Sequence, residues 1–197
     1  MAAKILVLNG SPRKNGNTAM VSQWVKEGAA PKAEVVETIN VSTIHMAYNG
    51  CIGCRKCKAD EDFYCFIADD ASKIVKDMTN FDVIVFAVPV YLGSVPAQMK
   101  CLLDRMYSHI KFKNGEHITN PLLRHKVMAL IATAGADYEG GLSSLVDFFQ
   151  TFAEEFGGRM YQFTVPNCSP DLNDLKQRVE IMQAAKAFGQ QLAGIEP

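Results

Sequence analysis

Short apolar runs alternate along the chain with segments in which apolar residues recur every three or four positions. Three runs carry almost no polar residues, as in strands covered on both faces of a sheet, and they occupy residues 4–8, 83–88 and 126–134. A less apolar segment, 34–41, predicts an edge strand, and 160–165 alternates like a further strand. Helical spacing predicts five helices, over residues 17–29, 70–78, 96–106, 142–156 and 172–192.

Strands that alternate with helices in this way predict parallel β-α-β units. The expected fold class is therefore α/β, with a doubly wound, five-stranded parallel sheet and helices on both faces. Ligands of such sheets bind beyond the carboxyl ends of the strands. Three loops occupy those positions, and we expect them to converge on one crevice: residues 9–18, 89–96 and 133–141.

Length and charge restrict the classes of protein that fit. The 197 residues predict a single domain over residues 1–197, with a cysteine-rich excursion at about 44–68. Lys and Arg total 20 against 21 for Asp and Glu, without a basic patch, which argues against a nucleic-acid or membrane-surface partner. No apolar run is long enough for a signal peptide or a membrane span. We therefore expect a soluble, cytoplasmic protein with reduced thiols.

The first loop, Asn9 to Thr18, has the features of an anion-binding site. It joins a buried strand to a helix N-terminus, where free backbone N–H groups and the helix dipole favour negative charge. Gly10 and Gly16 permit a close approach of the backbone. Further donors are supplied by four side chains: Ser11, Arg13, Asn17 and Thr18. The pattern predicts a phosphate ligand.

The residues that the loop lacks indicate which phosphate it binds. A nucleoside-triphosphate loop needs a lysine after its second glycine, whereas five residues separate Gly10 from Gly16 here and Asn17 follows. The dinucleotide fingerprint G-x-G-x-x-G is also absent. A single terminal phosphate ester remains. The alternative is an ordinary strand-to-helix turn with Asn17 or Thr18 as the N-cap.

The second and third loops suit a planar heterocycle. In the second, Tyr91 offers a flat surface, and Gly93 and Ser94 offer close backbone or hydroxyl contacts. The third loop, residues 133–141, is rich in glycine and leads into a helix. The alternatives are an aromatic side chain that covers the sheet edge and a plain turn before the helix.

A segment without clear periodicity, residues 44–68, carries four cysteines in the order Cys51-x2-Cys54-x2-Cys57-x7-Cys65. The compact C-x2-C-x2-C run matches ferredoxin-like ligation of a [4Fe–4S] cluster better than the paired motifs of structural zinc. Acidic neighbours at 60–62 would lower the cluster potential. Zinc binding, and thiols that bind no metal, remain open alternatives.

Three motifs in this order resemble the NAD(P)H-dependent FMN reductases of the flavodoxin-like superfamily: NGSPRKNGNT, VPVYLGSVPAQMKCLLDRM and ATAGADYEGG. The cysteine motif resembles that of the iron–sulfur flavoproteins. The resemblance implies the strand order 2-1-3-4-5 and a homodimer or homotetramer that completes the flavin pocket across subunits. It implies an FMN phosphate bound by Ser11, Arg13, Asn17 and Thr18, in the loop that also holds Gly16. The isoalloxazine ring would lie between two sets of residues: Pro89, Val90, Tyr91, Leu92, Gly93 and Ser94, and Thr133, Ala134 and Gly135.

Other polar residues suggest structural or surface roles. Asp104 and Arg105 resemble an exposed or interface pair, and the four histidines, without metal-ligand spacing, are expected at surfaces or interfaces. Cys101 and Cys168 are expected to be small structural residues. The polar insertion at 114–124 is a candidate oligomer contact or a solvated loop.

These observations together predict an FMN-dependent oxidoreductase. Hydride would pass from NADH or NADPH to the flavin, and electrons would then reach a small-molecule acceptor, the iron–sulfur cluster or a ferredoxin-like protein. The cofactor carries out the bond chemistry, so we assign no catalytic base. The alternatives are a non-enzymatic electron shuttle, a redox-sensing cysteine module and a P-loop hydrolase. Flavodoxin-type shuttles are markedly acidic, unlike this chain, and a P-loop hydrolase would need a lysine where Asn17 stands.

Overall fold

The computed structural model describes residues 2–59 and 61–195, so Asp60 of the acidic run lies outside the described residues. Its strands are β1 (Lys4–Asn9), β2 (Val35–Asn40), β3 (Val83–Pro89), β4 (Ile110–Lys113), β5 (Glu116–Thr119), β6 (Val127–Thr133) and β7 (Arg159–Val165). Its α-helices are α1 (Asn17–Ala29), α2 (Lys56–Ala59), α3 (Asp70–Asp77), α4 (Ala97–Arg105), α5 (Ser143–Glu155), α6 (Leu172–Gln177) and α7 (Val179–Ala193).

Five strands form one parallel sheet in the order β2-β1-β3-β6-β7. Counted along the main sheet alone, this is the order 2-1-3-4-5, which confirms the predicted fold class. The central strands β3 and β6 are buried along their whole length, as expected of strands that helices cover on both faces. The edge strand β2 is largely exposed.

Alternate residues of the sheet face two separate cores. Leu6 and Phe86 point to one side, where they pack with apolar residues of α3, α4 and α5. Val7 and Val85 point to the other side, where they pack with α1 and α7. Each core is continuous, because the two-residue period of the strands places a complete apolar layer on each face.

Helices α1 and α7 approach each other closely at two glycines. A Cβ atom added to Gly28 would lie 2.0 Å from the carbonyl oxygen of Lys186. A Cβ atom added to Gly189 would lie 2.0 Å from the carbonyl oxygen of Val25. The contact is therefore backbone against backbone, and no larger side chain fits at either position without moving a helix.

The insertion at 114–124, for which the sequence suggested an oligomer contact or a solvated loop, contains part of an antiparallel hairpin formed by β4 and β5. Its two turn residues, Asn114 and Gly115, both have positive φ, at 55° and 82°. Asn-Gly is the preferred pair for this tight turn, so the sequence carried a hairpin signal that the apolar pattern alone did not reveal.

The predicted closing helix over 172–192 is wrong in one respect, because it is two helices. The backbone leaves the helical region at Arg178, with ψ at 73°. The Arg178 guanidinium lies 3.5 Å and 3.4 Å from the carbonyl oxygens of Pro166 and Asn167, contacts that hold the break against the preceding loop. Within the described part of the chain, no helix has the length and apolar character required to cross a membrane.

Candidate functional site

The first helix begins without a side-chain cap. Its N-cap is Gly16, not Asn17 or Thr18 as the alternative interpretation required. The backbone N–H groups of Asn17, Thr18 and Ala19 therefore find no acceptor among the described residues. Unpaired N–H groups at a helix N-terminus form a binding site for an anion, and this is the geometry that the sequence predicted for the loop.

The loop before this helix is fixed by its own polar groups. The Asn9 side-chain oxygen accepts a hydrogen bond of 3.1 Å from the Ser11 N–H. The Ser11 hydroxyl accepts from the Arg13 N–H at 3.3 Å and lies 3.2 Å from the Arg13 carbonyl oxygen. Ser11 is buried, whereas the Arg13 side chain is exposed. Ser11 therefore stabilises the shape of the loop. The exposed Arg13 guanidinium can reach a ligand in the cleft.

The three predicted loops meet at an open cleft of about 180 Å³. Eight of the predicted site residues line it: Arg13, Asn17, Pro89, Val90, Tyr91, Thr133, Ala134 and Gly135. Ser11, Gly16 and Thr18 are buried in the loop and helix behind it. Leu92, Gly93 and Ser94 lie in an exposed turn that follows the lining residues of the second loop. The cleft thus brings the three loops together, and the contacts with FMN remain predictions.

A buried hydrogen bond joins the first loop to the third. The hydroxyls of Thr18 and Thr133 lie 2.7 Å apart, and both residues are buried. Thr133 ends β6, whereas Thr18 lies in the first turn of α1. The helix N-terminus is therefore held directly over the carboxyl end of the neighbouring strand.

The second loop ends in a tight turn. The N–H of Tyr91 donates to the Ser94 carbonyl at 2.9 Å, and the N–H of Ser94 donates to the Tyr91 carbonyl at 3.0 Å. Leu92 and Gly93 between them have positive φ, at 50° and 72°. A leucine rarely adopts this conformation, and here its side chain is fully exposed. The turn leaves Tyr91 43% exposed at the cleft.

A fourth loop, which the sequence interpretation missed, completes the cleft. Cys168, Ser169 and Pro170 line it, after the carboxyl end of β7. The Asn17 amide nitrogen donates to the Ser169 carbonyl at 2.8 Å, while its side-chain oxygen is buried without a donor among the described residues. The rule that ligands bind beyond strand ends would have included this loop, had it been applied to the last strand.

The four cysteines of the irregular segment surround one small cavity. Cys51, Cys54, Cys57 and Cys65 all line it, although its volume of about 20 Å³ is close to that of a single water site. Cys51 and Cys54 are exposed, whereas Cys57 and Cys65 are half-buried. Burial raises the pKa of the Cys57 thiol. Within residues 2–59 and 61–195, no three His, Cys, Asp or Glu side chains are placed to hold a metal ion.

Arg105 lies beside these thiols, and the prediction that it is exposed is wrong. Its side chain is fully buried and forms an ion pair with Asp69, which is also fully buried. Asp69 caps α3 by accepting from the Ser72 N–H at 3.0 Å, and it accepts from the Ala47 N–H at 3.0 Å. The two residues thus connect α4, α3 and the start of the cysteine segment, whereas Asp104 pairs with Lys100 at the surface.

Two residues that line the cavity each have a buried donor atom without an acceptor in the described chain. Arg105 donates from Nη1 to the Cys65 sulfur at 3.0 Å, but its Nε has no acceptor among the described residues. The Ser108 hydroxyl is likewise buried without a partner in the described chain. Both residues line the cysteine cavity. Unpaired buried polar groups are uncommon in folded proteins, and these two lie at one cavity.

Two lysines attach the cysteine segment to the β4–β5 hairpin. Lys58 donates to the carbonyl oxygens of Tyr107 and Ile110, and its ammonium lies 3.5 Å from the centre of the Tyr107 ring. Lys111, in the hairpin, donates back to the carbonyl oxygens of Cys57 and Asp62. Burial lowers the pKa of Lys58. The segment therefore has basic groups close to its thiols, in addition to the acidic run predicted from sequence.

One histidine contradicts the prediction that all four lie at surfaces or interfaces. His109 is fully buried; its Nε2 lies 2.8 Å from the Val75 carbonyl oxygen and its Nδ1 lies 3.0 Å from the Asn120 amide nitrogen. These partners require a neutral ring that donates from Nε2 and accepts at Nδ1. Burial lowers the pKa of His109 to about 4. Its role is to connect α3 to the segment around the hairpin.

A protein-family model described as NADPH-dependent FMN reductase matches residues 3–185. The chain belongs to this family. Membership confirms the resemblance stated from the motifs and the predicted class of enzyme, a flavoprotein oxidoreductase. It also supports FMN and NAD(P)H as the cofactor and the electron donor of this family member.

Two relatives of this FMN reductase family member are named iron-sulfur flavoproteins. The protein from Methanocaldococcus jannaschii is 36% identical over 150 residues, which cover 76% of this chain and 70% of the relative. The protein from Methanosarcina thermophila is 35% identical over 133 residues, which cover 68% of this chain and 60% of the relative. The chain thus aligns with part of the length of each relative.

Solved structures of low identity share the fold. An NAD(P)H:quinone oxidoreductase from Methanothermobacter marburgensis matches with a TM-score of 0.74 at 12% identity, covering 100% of both chains. An FMN-dependent NADH-azoreductase from Bacillus anthracis, in complex with FMN, matches with a TM-score of 0.72 at 13% identity, covering 98% of this chain and 100% of that one. These likenesses establish the flavodoxin-like architecture of this family member.

Proposed function

We propose that this protein is an FMN-dependent oxidoreductase that takes hydride from NAD(P)H and passes electrons to an acceptor, and that its four clustered cysteines hold a [4Fe–4S] cluster. The acceptor classes are a small molecule such as a quinone and a ferredoxin-like protein. The observation that carries the proposal is the convergence of the strand-end loops on one cleft, beside a helix N-terminus whose first N–H groups have no acceptor in the described part of the chain.

The residues present fit FMN. The N–H groups of Asn17, Thr18 and Ala19 have no acceptor within residues 2–59 and 61–195, and the Arg13 guanidinium is exposed beside them. These groups would bind the phosphate ester. The Tyr91 ring and the backbone of Thr133 to Gly135 would then line the heterocycle, because they share the cleft with Arg13 and Asn17.

The four cysteines are the residue type that binds iron–sulfur clusters, and binding would have to bring their thiols closer together than they lie among the described residues. They line one cavity, and two further residues that line it, Arg105 and Ser108, each have a buried donor without an acceptor in the described chain. Cluster sulfur atoms accept hydrogen bonds, so such a group would satisfy both donors. The names of the two relatives give independent support to this part of the proposal.

When bound, FMN supplies the hydride chemistry and the cluster supplies one-electron chemistry. The protein would position these groups and control access to them. The cleft of about 180 Å³ is smaller than the roughly 300–1,000 Å³ of most ligand pockets. This difference supports a flavin site that a second subunit completes, and hence a homodimer or homotetramer.

The test is anaerobic purification followed by absorption spectroscopy, assays for FMN, iron and sulfide, and assays of NADH and NADPH oxidation with a quinone. We expect bound FMN and consumption of a nicotinamide cofactor. A colourless protein that takes up no added FMN would refute the proposal. Bound FMN without NADH or NADPH oxidation would instead favour a non-enzymatic electron-transfer flavoprotein.

The cluster has a separate test in a pair of cysteine variants. Replacing both Cys54 and Cys57 by serine should remove iron and sulfide but leave FMN bound, because the flavin cleft lies elsewhere. The matched control is Cys101→Ser, a half-buried thiol on α4 outside the segment, which should keep both. Wild-type protein without iron would rule out the cluster and leave the flavin proposal standing.

A further inference from the structure

Two polar residues outside the cysteine motif, Arg105 and Ser108, line the cysteine cavity. Arg105 is the last residue of α4, Ser108 lies in the 3₁₀ turn that follows it, and neither belongs to the C-x2-C-x2-C-x7-C pattern. The Arg105 guanidinium is held on one side by the buried Asp69 carboxylate. On another side it donates to the Cys65 sulfur at 3.0 Å. Its position is therefore set before any ligand binds.

The donors of Arg105 and Ser108 that have no acceptor in the described chain point to a ligand with acceptor atoms. A buried donor without an acceptor loses its hydrogen bonds to water and gains nothing in return. Arg105 Nε and the Ser108 hydroxyl are both in this state in the described chain, and both residues line the same cavity as the four thiols. Thiolate and sulfide sulfurs are the acceptors that a cluster would bring to them.

We propose that Arg105 and Ser108 donate hydrogen bonds to the sulfur atoms of the iron–sulfur site, that Arg105 positions Cys65 as a ligand, and that both residues raise the reduction potential of the cluster. The inference rests on the proposed function, because it requires a cluster on the four cysteines. It adds two residues to the site that lie outside the cysteine motif.

The direction of the effect follows from electrostatics. A cluster bound by four thiolates carries net negative charge, and reduction adds one more, so hydrogen bonds to sulfur favour the reduced form. Asp69 neutralises part of the Arg105 charge. The increase in reduction potential therefore comes mainly from the N–H groups that donate to sulfur. Glu61 and Asp62 act in the opposite direction, but they are exposed and their charges are screened by solvent.

The experiment compares variants by anaerobic redox titration monitored by electron paramagnetic resonance of the reduced cluster. Ser108→Ala removes one hydroxyl, and Arg105→Lys keeps a positive charge near Asp69 but lacks the planar set of donors. The matched control is Ser22→Ala, a buried serine of α1 whose hydroxyl donates to the Thr18 carbonyl at 2.8 Å. FMN, iron and sulfide are measured in every sample.

We expect Ser108→Ala and Arg105→Lys to shift the potential to more negative values, with Ser22→Ala at the wild-type value. Loss of iron from Arg105→Lys with FMN retained would also support the role of Arg105 in positioning Cys65. If Arg105→Lys loses FMN as well, this variant has misfolded. The reduction potential of Ser108→Ala then tests the inference by itself.

Wild-type potentials in both variants, with full iron content, would overturn this inference but leave the proposed function intact. Wild-type protein without iron would overturn it too. The FMN content and NAD(P)H oxidation of the same sample then report on the flavin proposal by themselves.

Discussion

Two arginines illustrate how burial decides the use of one residue type. Arg13 is exposed at the flavin cleft, where a guanidinium can form charged hydrogen bonds with a phosphate ester. Arg105 is buried beside the cysteine cavity and forms an ion pair with Asp69. The first could be identified from a loop motif. The second could not, because its partner lies 36 residues away in sequence and is brought to it by packing of α3 on α4.

Arg13→Ala should weaken FMN binding. Loss of a charged hydrogen bond costs about 1.5–3 kcal/mol, which corresponds to a roughly 10- to 150-fold higher Kd. The measurement is titration of the FMN-free protein with FMN, followed by quenching of flavin fluorescence. Lys14→Ala is the control, because Lys14 is exposed in the same loop but does not line the cleft. Equal losses in both variants would indicate general charge attraction instead of a contact.

Helices and strands were predictable wherever one periodicity governed them. The strands β3 and β6 lie almost where the apolar runs placed them, because burial on both faces leaves no position for a polar residue. Helix α1 has the predicted bounds, Asn17–Ala29. The hairpin β4–β5 was missed because its strands have four residues each, too few for a pattern, and its Asn-Gly turn was the remaining signal.

His109, which connects α3 to the hairpin region, should make the stability of the protein depend on pH. Burial lowers the pKa of His109 to about 4 from its ordinary 6.5, so the unfolded chain binds a proton in this range that the folded chain does not. The free energy of unfolding should therefore fall as the pH decreases from about 6.5 to about 4. The change in pKa corresponds to roughly 3 kcal/mol.

Urea unfolding of the FMN-free protein at several pH values between 7.5 and 4 measures this loss. His109→Gln should flatten the dependence, since glutamine does not titrate. His45→Gln, at an exposed histidine, should retain the wild-type slope. Identical slopes for His109→Gln and wild type would show that the histidine does not carry the effect.

At the scale of the whole molecule, the flavin cleft depends on a contact between α1 and α7 near the other end of α1. Helix α1 has at its N-terminus the N–H groups that find no acceptor among the described residues, and it has Gly28 near its C-terminus. Gly28 faces α7 at a distance that excludes a Cβ atom, as does Gly189 on α7. The position of the N-terminus at the cleft is thus linked to packing at the opposite end of the same helix.

Gly189→Ala should reduce both stability and FMN affinity. The added methyl group would meet the Val25 backbone, and overpacking of this kind costs about 1–3 kcal/mol, occasionally more. Thermal unfolding measures the first effect and FMN titration the second. Gly194→Ala is the control, because its Cβ would lie 3.4 Å from the nearest backbone oxygen. Wild-type melting of Gly189→Ala would mean that the two helices separate without cost.

Lys58 and Lys111, which join the cysteine segment and the hairpin, have a consequence for the evolution of this chain. Lys58 reaches from the cysteine segment to the region of the hairpin, and Lys111 reaches back, so each segment satisfies carbonyl groups of the other. Deletion of either segment would leave a lysine or a set of carbonyls unmatched. We therefore expect the two segments to be inherited together, so that homologues without the cysteines should also have a shorter hairpin. A comparison of homologous sequences would test whether the two segments are present or absent together.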